Sequence, residues 1–449
     1  MSAVPVERLS TEDARILARE RGAVVGHLCK VLVVDGEHDA AAFRARIEPR
    51  LAAVPRLRDR LVEARFRIAP PAWVPDRGFA IERHVRDGGR VGDQGALECA
   101  VAGLMEARLD REHPLWSLDV LALRDRRTAG VLRLHHCMAD GATAMRIVRA
   151  LLLDQDVPAA DEGEVPGVAP GRAALFADAV RWRMSRASRA ERASGRTSGA
   201  ADRHERLAVI RRELAPEGGP SPLARRAGPR RTVAWSTFAL HELKQLAHAV
   251  PGRATVNDVV LAAVAGGLRR WLTNIGVEAH QLRVKVPVSL HRSDEPNLAN
   301  RDSFMVVHLP LDEPEPLVRL IAIAAETRER KAAHDADALD ALFNDLGRRS
   351  RSLERLAEHW AMSPRVFALN VSNVRGPQGD PTVLGSPLLA MHSVAEIAER
   401  HALRVAVISA AGRLSFGLCA DADVVERLDL VAHGIDDELR ALRAALPAG

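Results

Sequence analysis

The sequence predicts an α/β protein made of two halves, each a sandwich of mixed strands and helices. Three observations carry this reading. The chain has 449 residues, which is too long for one ordinary domain and suits two of roughly 150–220 residues each. Strand patterns and helix patterns recur on both sides of a central stretch. That stretch, Asp154–Arg231, shifts to Ala, Arg, Gly, Pro and Ser, and includes PEGGPSPLARRAGPRR. It reads as a connection with helical pieces and loops. The division is therefore a first domain over residues 1–154, a connection over 155–231 and a second domain over 232–449.

In the first half, HLCKVLVVDG (His27–Gly36) reads as a strand ending in a turn. Asp39 caps a following helix that carries Phe43, Ile47 and Leu51 at a spacing of four. A Pro/Trp-rich connection, Ile68–Phe79, precedes a helix over Gly95–Leu109. Strands are expected at Val120–Leu123 and Gly130–Leu134, then a helix at Ala142–Leu153 with Met145, Val148 and Leu152 on one face. The second half restarts with a strand at Thr232–Leu240 and a helix at Val256–Leu272. Strands follow at Leu282–Leu290 and Met305–Leu311, and helices at Pro316–Lys331 and Ala336–Ala361. Three strands, Val366–Val374, Leu403–Ala411 and Arg413–Ala420, lead to a last helix from Val424 to Ala445. No short internal repeat interrupts this order.

Composition narrows the function. Apolar residues make up 47% and charged residues 27% of the chain, a globular balance. No apolar run reaches the ~18 residues of a membrane span. The opening MSAVPVERLSTEDARILARERG has no apolar signal core, so a cytoplasmic protein is expected. Cys29, Cys99, Cys137 and Cys419 are far apart and form no CxxC pair, which fits free thiols in a reducing compartment. The net charge is +5, almost all from arginine, with lysine only at Lys30, Lys244, Lys285 and Lys331. Tyrosine is absent and aromatics are 3%, so the basic surface lacks the stacking residues of a nucleic-acid binder.

The stretch LRLHHCMADGATAM (Leu132–Met145) carries the chemistry. A half-buried strand delivers His135 and His136 at its end, and Asp140 caps the next helix. Gly141 permits close backbone approach. Adjacent strand residues face opposite ways, so one histidine reaches a cleft and the other packs or orients it. Neutral imidazole is a good base near pH 7. A metal site needs a third ligand that is not evident. A plain polar turn, or Cys137 as a nucleophile beside a histidine base, remain alternatives. In TVNDVVLAAVAGGLRRWL, Thr255 and Asp258 read as a capping box, which sets Asn257 at the positive end of the helix dipole as an oxyanion donor or an ordinary first-turn residue. Pro114, Leu115 and Trp116 read as tunnel or core. Asn373, Arg375 and Gly376 read as a strand-end turn at the domain junction.

HHCMADG resembles the HHxxxDG motif of the coenzyme-A-dependent acyltransferase superfamily. LDREHPLWSLDVL, TVNDVVLAAVAGGLRRWL, VPVSLHR with NLANRDSFMVVHLP, NVSNVRGP and VISAAGRLSFGLCAD resemble, in order, segments of the bacterial wax ester synthase/diacylglycerol acyltransferase family. The likeness covers nearly the whole chain. It implies two chloramphenicol-acetyltransferase-like α/β sandwich domains with a tunnel at their interface. It also implies transfer of a long-chain acyl group from acyl-CoA, as co-substrate without a further cofactor, to a diacylglycerol or long-chain alcohol. His136 is then the general base, with His135, Asp140 and Gly141 supporting it and Asn257 assisting. Pro114, Leu115, Trp116, Asp258 and Asn373 become candidates for substrate binding. The chain departs from the family pattern at Ala299-Asn300, at Ser409-Ala410 and at His291 before Arg292. Alternatives are a condensation-type acyltransferase with a carrier-protein donor or amine acceptor, and a catalytically silent lipid-binding protein. LFADAVRWRMSR (Leu175–Arg186) reads as a basic amphipathic helix that either docks on the protein or lies on a membrane or lipid body.

Overall fold

Residues 6–155, 170–193, 208–216, 221–278, 280–289, 302–333, 335–349 and 351–446 are described in the structure, a computed structural model. Much of the expected 155–231 connection, and the departures at His291-Arg292 and Ala299-Asn300, lie outside the described residues.

Among the described residues, two six-stranded sheets and a two-stranded pair form. The first sheet runs, in spatial order, Thr382–Val383, Ser386–Ala395, His27–Val34, Thr128–His135, Trp116–Leu123 and Val85–Val91. His27–Val34 is buried along its whole length, so it needs ladder partners on both edges. Thr128–His135 supplies one edge, with His27 opposite His135. The other edge is Ser386–Ala395, a strand from the second half of the chain that sets Ala395 opposite Leu28. The first sheet is thus completed by residues far downstream of the sequence division at 231.

The second sheet runs Arg231–Ala239, Arg413–Asp421, Leu403–Ala410, Leu369–Arg375, Leu282–Ser289 and Asp302–Leu309. Leu369–Arg375 pairs in parallel with both of its neighbours. Alternation sets Val284, Val286, Leu369, Val371, Leu403, Val405 and Val407 against the helical layer, where they join one apolar cluster. At the centre of that layer lies the helix Val256–Asn274, with Val259 to Leu268 all buried. It packs on the helix Leu428–Ala445 through glycines. A Cβ at Gly434 would come within 2.7 Å of the Gly267 Cα, so the run AVAGGL is small because two helix backbones touch there.

The mixed α/β architecture of both halves follows the expected pattern, and the differences have local causes. Val85–Val91 is a strand although its sequence, VRDGGRV, is polar; it is a sheet edge with Asp87 to Arg90 exposed. Asp335–Arg349 and Arg351–Ala361 are helical, within the stretch where a helix was expected. Thr11–Arg19 and Leu240–Ala249 are helices that periodicity did not mark.

Candidate active site

The two histidines sit where a strand breaks into a turn. His135 closes the strand Thr128–His135, and the helix Gly141–Leu151 starts five residues after His136. The turn is pinned at each step. The His135 N–H donates to the Leu115 carbonyl at 3.0 Å, and the His136 N–H to the Gly26 carbonyl at 2.9 Å. The Cys137 N–H donates to His135 Nδ1 at 3.1 Å. Asp140 is the N-cap, its Oδ1 accepting from the Thr143 N–H at 2.6 Å.

This geometry separates the histidines. His135 is 1% exposed and packs behind the turn. With Nδ1 accepting, its proton lies on Nε2, which faces a Glu20 carboxylate oxygen at 3.7 Å. Burial opposes ionisation of Glu20, yet hydrogen bonds and charge from His135 and Arg111 hold it below the ordinary carboxylate range. His136 is half-buried and lines a cavity of about 1580 Å³ between the halves, as does Asp140. Burial, then the positive charge of Arg404, push His136 well below the ordinary imidazole range; His135, Lys30 and His27 add to it. A group so placed is a neutral base at pH 7. Cys137 is buried and its thiol is pushed far up, so a thiolate nucleophile has no support there.

Gly141 has a packing reason. A Cβ there would lie 2.7 Å from the Val374 side chain, so its absence lets the strand Leu369–Arg375 of the second half reach the start of the helix after the histidine turn.

Several sequence candidates take other roles. Leu115 and Trp116 are core: Trp116 is 2% exposed, donates from Nε1 to the Leu57 carbonyl at 2.8 Å and stacks on His84. Pro114 is buried beside them. None of the three lines the cavity; through the Leu115 carbonyl they brace the histidine turn from behind. The reading of these residues as substrate-binding is corrected accordingly. Asp258 is 2% exposed and fully committed as a cap. Its Oδ2 accepts from the Thr255 N–H at 2.7 Å and its Oδ1 from the Thr327 hydroxyl at 2.6 Å. It does not reach the cavity, and neither does Asn257, so an oxyanion role for Asn257 has no geometric support. Asn373 is exposed; on the same strand it is Asn370 that lines the cavity. The two differ by three residues and so face opposite sides of the sheet.

The sequence reading missed Glu20, Gly26, Lys285, Asn370 and Arg404. Alternation held a signal for the last three. In LRVKVPVSL and LRVAVISAA the apolar positions face the helices, which turns Lys285 and Arg404 toward the other half.

A strand crosses from one half into the sheet of the other, and the His-His turn faces the cavity between them, an arrangement of the two-domain, condensation-like fold class. A structure of a wax ester synthase/diacylglycerol acyltransferase from Marinobacter aquaeolei VT8 shares the fold, with a TM-score of 0.68 at 22% identity over 98% of this chain and 99% of that one. The first condensation domain of the calcium-dependent antibiotic synthetase shares it with a TM-score of 0.62 at 17% identity, over 98% of this chain and 96% of that one. The chain belongs to the wax ester synthase/diacylglycerol acyltransferase family. The family's catalytic-domain model matches residues 9–260 and its C-terminal-domain model residues 298–443. A protein of Mycobacterium tuberculosis named as a probable diacylglycerol O-acyltransferase is 30% identical over 461 residues, covering 98% of this chain and 96% of the relative. The protein is therefore an acyltransferase.

Proposed function

We propose that this acyltransferase moves a long-chain acyl group from acyl-CoA to the hydroxyl of a lipid acceptor, a diacylglycerol or long-chain alcohol. The observation that carries the proposal is His136, a neutral imidazole on the wall of a cavity shared by both halves. The names of the relatives support the acceptor class. In the step proposed, His136 takes the hydroxyl proton as the oxygen attacks the thioester carbonyl carbon. The carbon–sulfur bond breaks, and the thiolate leaves with the proton returned by His136. The step forms no covalent enzyme intermediate and uses acyl-CoA only as co-substrate.

Thiol release from a long-chain acyl-CoA, with and without each acceptor, tests the activity. A folded His136→Ala protein is expected to lose roughly 10²–10⁴-fold in turnover. Near-normal turnover by that variant would remove His136 from the mechanism.

Peripheral contact with a membrane or lipid body is part of the same proposal. The helix Arg172–Ala193 docks on the protein through Ala179 and Trp182, which pack with Ala64, Ile68 and Ala69, and through an Arg8–Asp178 ion pair at 2.8 Å. Phe176 and Met184 stay exposed among arginines, which suits an anionic lipid surface. Co-sedimentation with anionic vesicles should fall when both are changed to Ser. Equal sedimentation of variant and parent would discard this contact. Among the described residues no helix is long and apolar enough to cross a membrane.

A further inference from the structure

The cavity wall opposite the histidine turn carries an ordered row of polar side chains. Asn370 lies on the strand Leu369–Arg375, whose parallel neighbours set Arg404 on one side of it and Lys285 on the other. Residues in register on adjacent strands share a face and lie about 4.8 Å apart. All three line the cavity that holds His136. The row is therefore cation, amide, cation across roughly 10 Å.

Its surroundings favour an anion. The Asn370 Oδ1 is buried and has no hydrogen-bond partner among the described residues. The Lys285 ammonium lies 4.1 Å from the centre of the Phe304 ring, an apolar support that fixes the charge. Arg404 donates from Nη1 to the Glu396 carbonyl at 3.1 Å, which orients the guanidinium. The carboxylates that line the same cavity are largely answered by arginines outside it. Glu396 pairs with Arg231 at 2.9 Å, Glu20 with Arg111, and Glu399 with Arg226 at 3.5 Å. Glu396, whose carbonyl Arg404 bonds, donates its own N–H to the His27 carbonyl at 3.2 Å, next to the Gly26 carbonyl that holds the His136 N–H, so one end of the row adjoins the base.

We propose that Lys285, Asn370 and Arg404 form a head-group subsite that binds a carboxylate or phosphate carried by the acceptor, close to its reacting hydroxyl. Beyond the neutral acceptors of the proposed function, the cavity then also takes an anionic hydroxylated lipid, such as an α-hydroxy acid or a phosphate-bearing monoacylglycerol. The phosphates of CoA are a full pantetheine arm away from the thioester, so a group held beside His136 belongs to the acceptor. Arginine and lysine together bind such oxygens through charge-assisted hydrogen bonds. The proposal rests on the reading of His136 as the base.

Matched acceptors test it. A long-chain vicinal diol is compared with the α-hydroxy acid of equal length, and a monoacylglycerol with the same lipid carrying a phosphate. The anionic member of each pair should show the higher kcat/KM. Arg404→Gln and Lys285→Gln should each lower the anionic-to-neutral ratio by about tenfold or more, the scale of a hydrogen bond to a charged group. Arg404→Lys should restore part of it. A parent preference for the neutral member, or an equal loss on both members, would overturn the subsite. Donors are compared in the same way, as acyl-CoA against acyl-N-acetylcysteamine. If Lys285→Gln raises KM only for acyl-CoA, the row serves the donor's phosphates and the acceptor assignment fails. Should Arg404→Gln not fold, Lys285→Gln alone decides the ratio. Should the parent protein turn over no acceptor, direct titration of the two anionic lipids and their neutral partners into folded His136→Ala protein separates the subsite from the chemistry. Equal affinities there would refute it.

Discussion

His136 and His135 are neighbours in the chain yet meet different physics. One faces a cavity where Arg404 is the leading charge on it, the other a buried carboxylate. The consequence for His136 is a sign. Its folded pKa lies well below 6.5, so the imidazole stays unprotonated as pH falls through the range where a free histidine titrates. The acid limb of kcat/KM should therefore fall clearly below pH 6.5. An acid-limb midpoint at or above 6.5 in a pH–rate profile would show that the base is not so shifted. At this scale the sequence revealed the motif, because two histidines, an aspartate and a glycine lie within seven residues. It did not reveal Glu20, Arg404 or Asn370, because each reaches the site from a strand or turn more than 100 residues away in the chain. Asn373 was chosen over Asn370 because both stand in NVSNV, and only the pairing of that strand decides which one faces the cavity.

Helix starts show how an element can imitate a site. Thr255-x-x-Asp258 was legible as a capping box, and the structure has both of its reciprocal bonds. The step from that cap to an oxyanion role for Asn257 needed the helix N-terminus to point at the cavity. It points instead toward the helix Pro316–Ala332, where Thr327 bonds Asp258. Asp258→Ala should accordingly lower stability by about 0.5–2 kcal/mol through the lost cap. Its kcat/KM for either substrate should stay within a few-fold of the parent. Thermal melting and steady-state kinetics on one preparation separate the two readings. A large loss in kcat/KM at unchanged Tm would return the residue to the substrate site. The long helix Val256–Asn274 itself was plain from its apolar run, whereas Val85–Val91 was not, since a polar edge strand has no periodicity to read.

At the scale of the whole molecule, two halves were expected from length and from the shift in composition between them. What local pattern could not show is that the halves share a sheet. The sequence reading has no strand at Ser386–Ala395, and nothing in the residues SPLLAMHSVA says which sheet they join. In the structure this segment pairs with His27–Val34 over seven register positions, from Leu28–Ala395 to Val34–Leu388. Its Val394 and Met391 enter the apolar clusters of the first half. Residues 1–231 alone would leave His27–Val34, apolar and wholly buried in the intact chain, as an exposed sheet edge. Such an edge invites pairing with other copies. The fragment 1–231 is therefore expected to aggregate when made alone. Co-expressed with 232–449, which carries the missing strand, it should yield a soluble complex that releases thiol from acyl-CoA. Size-exclusion chromatography of each fragment and of the pair makes the measurement. A monomeric, cooperatively folding 1–231 fragment would mean that the crossing strand is an accessory to the first sheet rather than part of its core.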